Sequence, residues 1–174
     1  TSPRRFFPYR RPLPAASPLS PAAPSRLGPS VLMYDTLLVP VDLSSTNEYV
    51  LQAAQHLGDP AHTQLRLLHV IETLQDEAPG EMDEFYDELR ADAEHKMDAW
   101  ATTVADQGFS VQCTIEYGER APTIAEVATE DDVDLIVMRS HAVDPDAPSD
   151  TTVGTVSHQV AVFAPCSVHL VRRS

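Results

Sequence analysis

Lysine is nearly missing from this chain, with Lys96 the only one in 174 residues. Twelve basic residues face 26 acidic ones, a formal charge of −14. That balance argues against a nucleic-acid-binding surface, which needs Lys and Arg to neutralise phosphates. No apolar run reaches the roughly 18 residues that would cross a membrane. Two cysteines, Cys113 and Cys166, are too few for a disulfide framework or a Cys-rich zinc site. The seven histidines (56, 62, 69, 95, 141, 158 and 169) include no His-x-x-x-His pair and no Cys–His cluster, so no metal site is expected. A Gly-x-Ser-x-Gly nucleophile elbow is also missing, which argues against a Ser-His-Asp hydrolase.

What charge there is lies unevenly. Residues 1–32 hold Arg4, Arg5, Arg10, Arg11 and Arg26, no acid, and eight of the fifteen prolines. Proline breaks helices and central strands, and the apolar residues here follow no period, so 1–32 reads as a disordered extension. Arg4-Arg5-Phe6-Phe7 is similar to a twin-arginine export signal. The apolar segment such a signal needs is interrupted by Pro8, Pro12, Pro14, Pro18 and Pro21, so a cytoplasmic location is expected. Met33, followed at once by strand-like sequence, reads as a candidate start. Residues 33–174 then form the single folded domain. They keep seven basic and 26 acidic residues, a net −19. Two readings of that acidity stand: an ordinary solvated surface, or a halophilic adaptation in which concentrated salt screens dense charge. The second is preferred.

Along the body, short apolar runs alternate with helical periods. Thr36–Val41 reads as a strand buried on both faces. Ser45-x-x-Glu48 resembles a capping box, ahead of Val50, Ala53, Ala54 and Leu57 at helical spacing and Gly58 as the stop. Leu65–Ile71 is a second strand. An acidic loop with Pro79 and Gly80 precedes the strongest helical pattern: Met82, Phe85, Leu89, Ala93, Met97, Trp100 and Val104, ending at Gly108. Phe109–Tyr117 reads as a third strand. Pro122 opens a helix through Ile124, Val127 and Ala128. Val133–Met138 and Val168–Val171 are strands four and five, and Val153, Val156, Val160 and Phe163 mark a helix between them. Such alternation predicts an α/β fold with a parallel sheet and helices on both faces. Ligands of these folds bind beyond the carboxyl ends of the strands. Pro40 to Ser45, Val70 with Ile71, and Met138 to Thr155 are therefore the segments expected to carry a site.

Five pieces carry a resemblance. Tyr34-Asp-Thr-Leu-Leu-Val-Pro-Val-Asp-Leu-Ser44 and Leu67-Leu-His-Val70 resemble the first two strands of the universal stress protein family. Gly118-Glu-Arg-Ala-Pro-Thr-Ile124 resembles its Gly-x-Pro turn and third helix. Asp134-Leu-Ile-Val-Met-Arg-Ser-His141, and Gly154-Thr-Val-Ser157 with Ala164-Pro-Cys-Ser-Val-His-Leu-Val171, resemble its last third. The pieces run in order over residues 33–172. The resemblance implies a five-stranded parallel sheet of order 3-2-1-4-5, of the adenine nucleotide alpha-hydrolase-like type. It implies a homodimer paired through the last strand, around Ser167 to Arg172, and a stress-response or regulatory role. It also implies ATP or AMP, with Mg2+, as the candidate cofactor.

ATP-binding members carry Gly-x2-Gly-x9-Gly-(Ser/Thr) after strand four, where glycines let backbone N–H groups approach phosphates at a helix N-terminus. Here Arg139 stands in place of the first glycine and Ala142 in place of the second. Only Gly154-Thr155 remains, after an eleven-residue spacer holding Asp144, Asp146 and Asp150. Weakened or lost nucleotide binding is therefore expected. The alternative is ATP or AMP binding through a rearranged loop, with slow ATP hydrolysis. The site positions carried over are Pro40, Val41, Asp42, Val70, Met138, Arg139, His141, Ala142, Gly154 and Thr155. Each has a plainer reading beside it. Asp42 is either a nucleoside contact or a helix cap with Ser44 or Ser45. Val70 is either a base contact or core. Arg139 either plugs the phosphate space, paired with Asp42 or a loop aspartate, or contacts an anion. Thr155 with Gly154 either cradles phosphate or begins a helix. His69 and His169 are expected to be structural, and the two cysteines to be buried apolar fillers.

Overall fold

A computed structural model describes residues 34–73, 83–140 and 155–172. Five strands lie in one parallel sheet: β1 (Thr36–Pro40), β2 (Gln64–Ile71), β3 (Ser110–Tyr117), β4 (Leu135–Arg139) and β5 (Ser167–Val171). Their order is β3-β2-β1-β4-β5. The strand reading held, with β2 and β5 each beginning one residue earlier than expected, β3 one later and β4 two later. β1 is central because its sequence tolerates water on neither face: Leu37, Leu38 and Val39 are all fully buried. Leu37 lies against Leu65 of β2 and Leu135 of β4, and Leu38 against Arg66 and Ile136.

Four described helices cover the two faces: α1 (Asn47–Leu57), α2 (Asp83–Ala105), α3 (Arg120–Glu130) and α4 (Val156–Phe163). Alternate strand residues feed two cores. Leu37, Val39, Leu65 and Leu67 pack with Val50, Leu51 and Ala54 of α1 and Ala93, Met97 and Val104 of α2. Leu38, Leu68, Val70, Ile136 and Met138 pack with Ile124, Val127 and Ala128 of α3 and Val160 of α4. Gly118 makes the β3–α3 turn at φ +149°, where a Cβ would lie 2.9 Å from Thr123 Oγ1. That contact and that φ together require glycine.

Three expectations need correction. Phe85 and Leu89, assigned to the buried stripe of α2, are 46% and 38% exposed. The helix of 23 residues is about 34 Å long, while β2, with eight residues, spans about 26 Å. The first turns of α2 therefore overhang the sheet. There the half-buried side is turned by one residue to Tyr86, whose ring meets Tyr117 edge-on at 6.2 Å. Phe163 is 68% exposed because α4 flanks the edge strand β5, with no further strand beyond it. The Ser45–Glu48 capping box does not form. The N-cap of α1 is Thr46, whose side chain caps nothing, and the turn is held from Asp42 instead. The 1–32 extension, Met33, the Pro79–Gly80 loop, Met82 and Val153 lie outside the described residues.

One near-buried ion pair joins the layers. Arg66 of β2 shares a sheet face with Leu68 and Val70 and reaches Asp131, the residue after α3. They are 16% and 10% exposed. A basic group also suits a helix C-terminus, where backbone carbonyls concentrate negative charge. Nη1 sits against Oδ2 without hydrogen-bond alignment, and Nε and Nη1 are sealed from water.

Candidate functional site

The carboxyl ends of β1, β2 and β4 and the N-terminal ends of α3 and α4 enclose a cavity of about 380 Å³. Its geometry begins where β1 stops. Val41 N–H still donates to Leu68 C=O at 2.8 Å, prolonging the pairing with β2. The chain then turns through Leu43, which adopts φ +62° despite its side chain. A set of hydrogen bonds fixes this turn. Asp42 Oδ1 accepts from Ser44 N–H at 3.0 Å, Ser44 Oγ at 2.6 Å and Asn47 Nδ2 at 2.6 Å. The second Asn47 N–H goes to Ser44 C=O at 2.9 Å. Partial burial by itself would raise the Asp42 carboxyl pKa. The Ser44 and Asn47 donors and the Arg139 charge outweigh it and hold the carboxyl below its ordinary range.

Arg139 ends β4. Its Nη1 donates to Thr46 Oγ1 at 2.9 Å and lies 3.7 Å from Asp42 Oδ2. One Asp42 oxygen therefore organises the turn before α1, in line with the capping reading, and the other faces the Arg139 guanidinium on the cavity wall. Thr155 is the N-cap of α4 and accepts from His158 N–H at 3.3 Å. Arg120, in the first turn of α3, pairs with Glu72 at 2.9 Å.

His69 Nδ1 lies 2.8 Å from Val41 C=O. A carbonyl only accepts, so Nδ1 carries the hydrogen. Burial pushes the imidazole pKa below its ordinary value of 6.5, even though the Val41 bond favours the charged ring. Below about pH 6.5 the unfolded chain then takes up a proton that the folded chain refuses. This group's share of stability is complete above that pH and is lost as pH falls toward the lower folded value. Urea unfolding at pH 7.5 and 5.5 is expected to show a smaller loss on acidification in His69→Gln than in the parent chain.

The structure brings seven of the ten carried-over positions together on this cavity: Pro40, Val41, Asp42, Val70, Met138, Arg139 and Thr155. His141, Ala142 and Gly154 lie outside the described residues. Sequence reasoning missed Asn47, Arg120, Ile124 and Ser157, and it treated His69 as structural only; all five line the cavity. Asn47 carried a usable signal, since it is a polar residue opening a helix five positions after an acid at a strand end. Cys113 is buried and its thiol faces Met97 C=O, whereas Cys166 is only half-buried. No described helix is long and apolar enough to cross a membrane.

Residues 33–172 match the model of the universal stress protein family. A universal stress protein from Methanothermobacter thermautotrophicus is 28% identical over 152 residues, spanning 80% of this chain and 97% of the relative. The solved structure of Methanocaldococcus jannaschii protein MJ0577 superposes with a TM-score of 0.70 at 28% identity, covering 82% of this chain and 99% of that one. UspA from Lactobacillus plantarum gives a TM-score of 0.64 at 28% identity, covering 82% and 100%.

Proposed function

This chain belongs to the universal stress protein family, and from that premise we propose that it is a dimeric regulatory module that binds an adenine nucleotide weakly in the cavity above β1 and β4. Two more distant proteins of this fold were solved with cAMP and with AMP. At 19% and 18% identity they bear on the fold, and the ligand reading rests on the cavity itself. The space lies near the lower end of small-molecule pockets, about 300 Å³ and upward. It combines apolar wall residues with Asp42, Arg139 and Thr155.

One observation carries the weakness. At the position where glycine-loop relatives leave room for phosphate, Arg139 is bonded to Thr46 and faces Asp42. A ligand must part these groups before it uses them, and its apparent affinity drops accordingly. The open edge of the sheet, with Leu170 of β5 and Val162 and Phe163 of the flanking α4 exposed, is where a second copy pairs along Ser167–Arg172. The module is formed by residues 33–174 with 1–32 as an extension, works in the cytoplasm and is adapted to concentrated salt. Titration with ATP·Mg2+ and AMP in molar KCl is expected to give dissociation constants of about 0.1–1 mM. Native mass spectrometry of the same sample reports the dimer. Low-micromolar ATP binding would overturn the weakened reading. No binding of either nucleotide would overturn the nucleotide reading altogether.

A further inference from the structure

Beyond weakening the site, Arg139 has the geometry to choose the ligand. The described wall of the cavity is mostly apolar around Leu68, Val70, Ile124, Met138 and Val156. Against that background the guanidinium of Arg139 is held by two groups from the β1–α1 turn, the neutral hydroxyl of Thr46 at 2.9 Å and the carboxylate of Asp42 at 3.7 Å. The other cation on the wall, Arg120, has its own carboxylate partner in Glu72. Asp42 Oδ1 is already taken by Ser44 and Asn47, so Oδ2 is the oxygen on which Arg139 and a ligand hydroxyl compete.

We infer that Arg139 is a specificity-determining residue: it selects an anionic nucleotide over the uncharged nucleoside by exchanging Thr46 and Asp42 for the ligand's own phosphate. This rests on the nucleotide reading above. An uncharged nucleoside that takes Asp42 Oδ2 displaces Arg139 from that oxygen and returns nothing to the guanidinium. A monophosphate returns bonds in which both donor and acceptor are charged, stronger than the guanidinium–hydroxyl bond to Thr46 that it displaces. The strap formed by Thr46, Asp42 and Arg139 thus discriminates by ligand charge without a glycine-rich loop.

Two substitutions separate the parts. Arg139→Gln removes both the strap and the phosphate partner. Thr46→Val loosens the strap and keeps the charge; it also removes the 2.5 Å hydroxyl bond to Ser44, whose N–H and Oγ still donate to Asp42, and it removes no helix-cap hydrogen bond. Amide NMR titrations with adenosine and with AMP, at one fixed KCl concentration, read both effects, and thermal unfolding confirms that each variant is folded. In Arg139→Gln, adenosine is expected to bind about three- to tenfold tighter and AMP about tenfold weaker. In Thr46→Val both ligands are expected to bind about threefold tighter. Arg139→Gln shifting both ligands in the same direction, or Thr46→Val leaving both unchanged, overturns the inference while leaving nucleotide binding in place. If neither ligand binds any form, the nucleotide reading fails and this inference fails with it.

Discussion

Asp131→Ala is expected to lower the unfolding free energy by about 3 kcal/mol, a large fraction of the 5–15 kcal/mol that typically holds a domain together. The loss comes less from the missing attraction than from what stays behind. Arg66 keeps its charge with Nε and Nη1 sealed from water, and the Asp131 carboxylate facing it across the layer is gone. Removing both charges is therefore expected to be far milder than removing one. Arg66→Met with Asp131→Ala should recover most of the lost stability, because an apolar side chain suits the surroundings of Leu68 and Val70. Urea unfolding of the two single variants and the double variant completes the cycle. A double variant as unstable as Asp131→Ala would show that packing, and not the stranded charge, sets the cost.

Asn47→Ala is expected to cost roughly 2–3 kcal/mol, because one of its two hydrogen bonds goes to a carboxylate and the side chain is almost wholly buried. Asn47 is only 2% exposed, and both its N–H groups are spent on the turn, on Asp42 and on Ser44 C=O. The same variant has a second readout. With one donor removed, the Asp42 carboxyl pKa is expected to rise toward its ordinary value, measurable by NMR titration of that side chain. Stability held by Asp42 is present above the unfolded pKa and lost as pH falls through the depressed folded value, so this acid sensitivity shrinks in Asn47→Ala. A stability loss under about 0.5 kcal/mol would show that the turn does not need the amide.

Much of the fold was legible because parallel strands buried on both faces leave a plain trace. The Leu-Leu-Val and Leu-Ile-Val-Met runs admit no solvent side, and the helices between them carry their own period. Strand order came from the family resemblance, since periodicity does not say which strands are neighbours. The failures have physical causes. The pattern containing Phe85 and Leu89 continues past the end of the sheet it would pack on, and a one-dimensional period does not reveal where a neighbour stops. The capping box lost to Asp42, a side chain three residues upstream of the box that a local motif does not consider. The site shows the same division. Asp42, Val70 and Arg139 lie at strand ends, and a parallel sheet brings strand ends together. Arg120 and Ile124 reach the cavity only because α3 crosses the sheet behind β2. That path is set by packing and not by anything adjacent in the chain.

The central place of β1 also imposes a timetable. β1, β2 and β3 are consecutive in sequence and pair as neighbours. The other side of β1 waits for β4, and the joint is reinforced when Asp134 accepts the N–H groups of Asp35 and Thr36, 99 and 98 residues upstream. Contacts of such long range close late and slow folding, and synthesis delivers the N-terminal strands first. Three of the five strands are therefore on hand before the strand that completes the cavity has been translated. A nascent chain that stops short of Arg139 lacks the β4 wall of the cavity, so the cavity takes shape only once the sheet has closed.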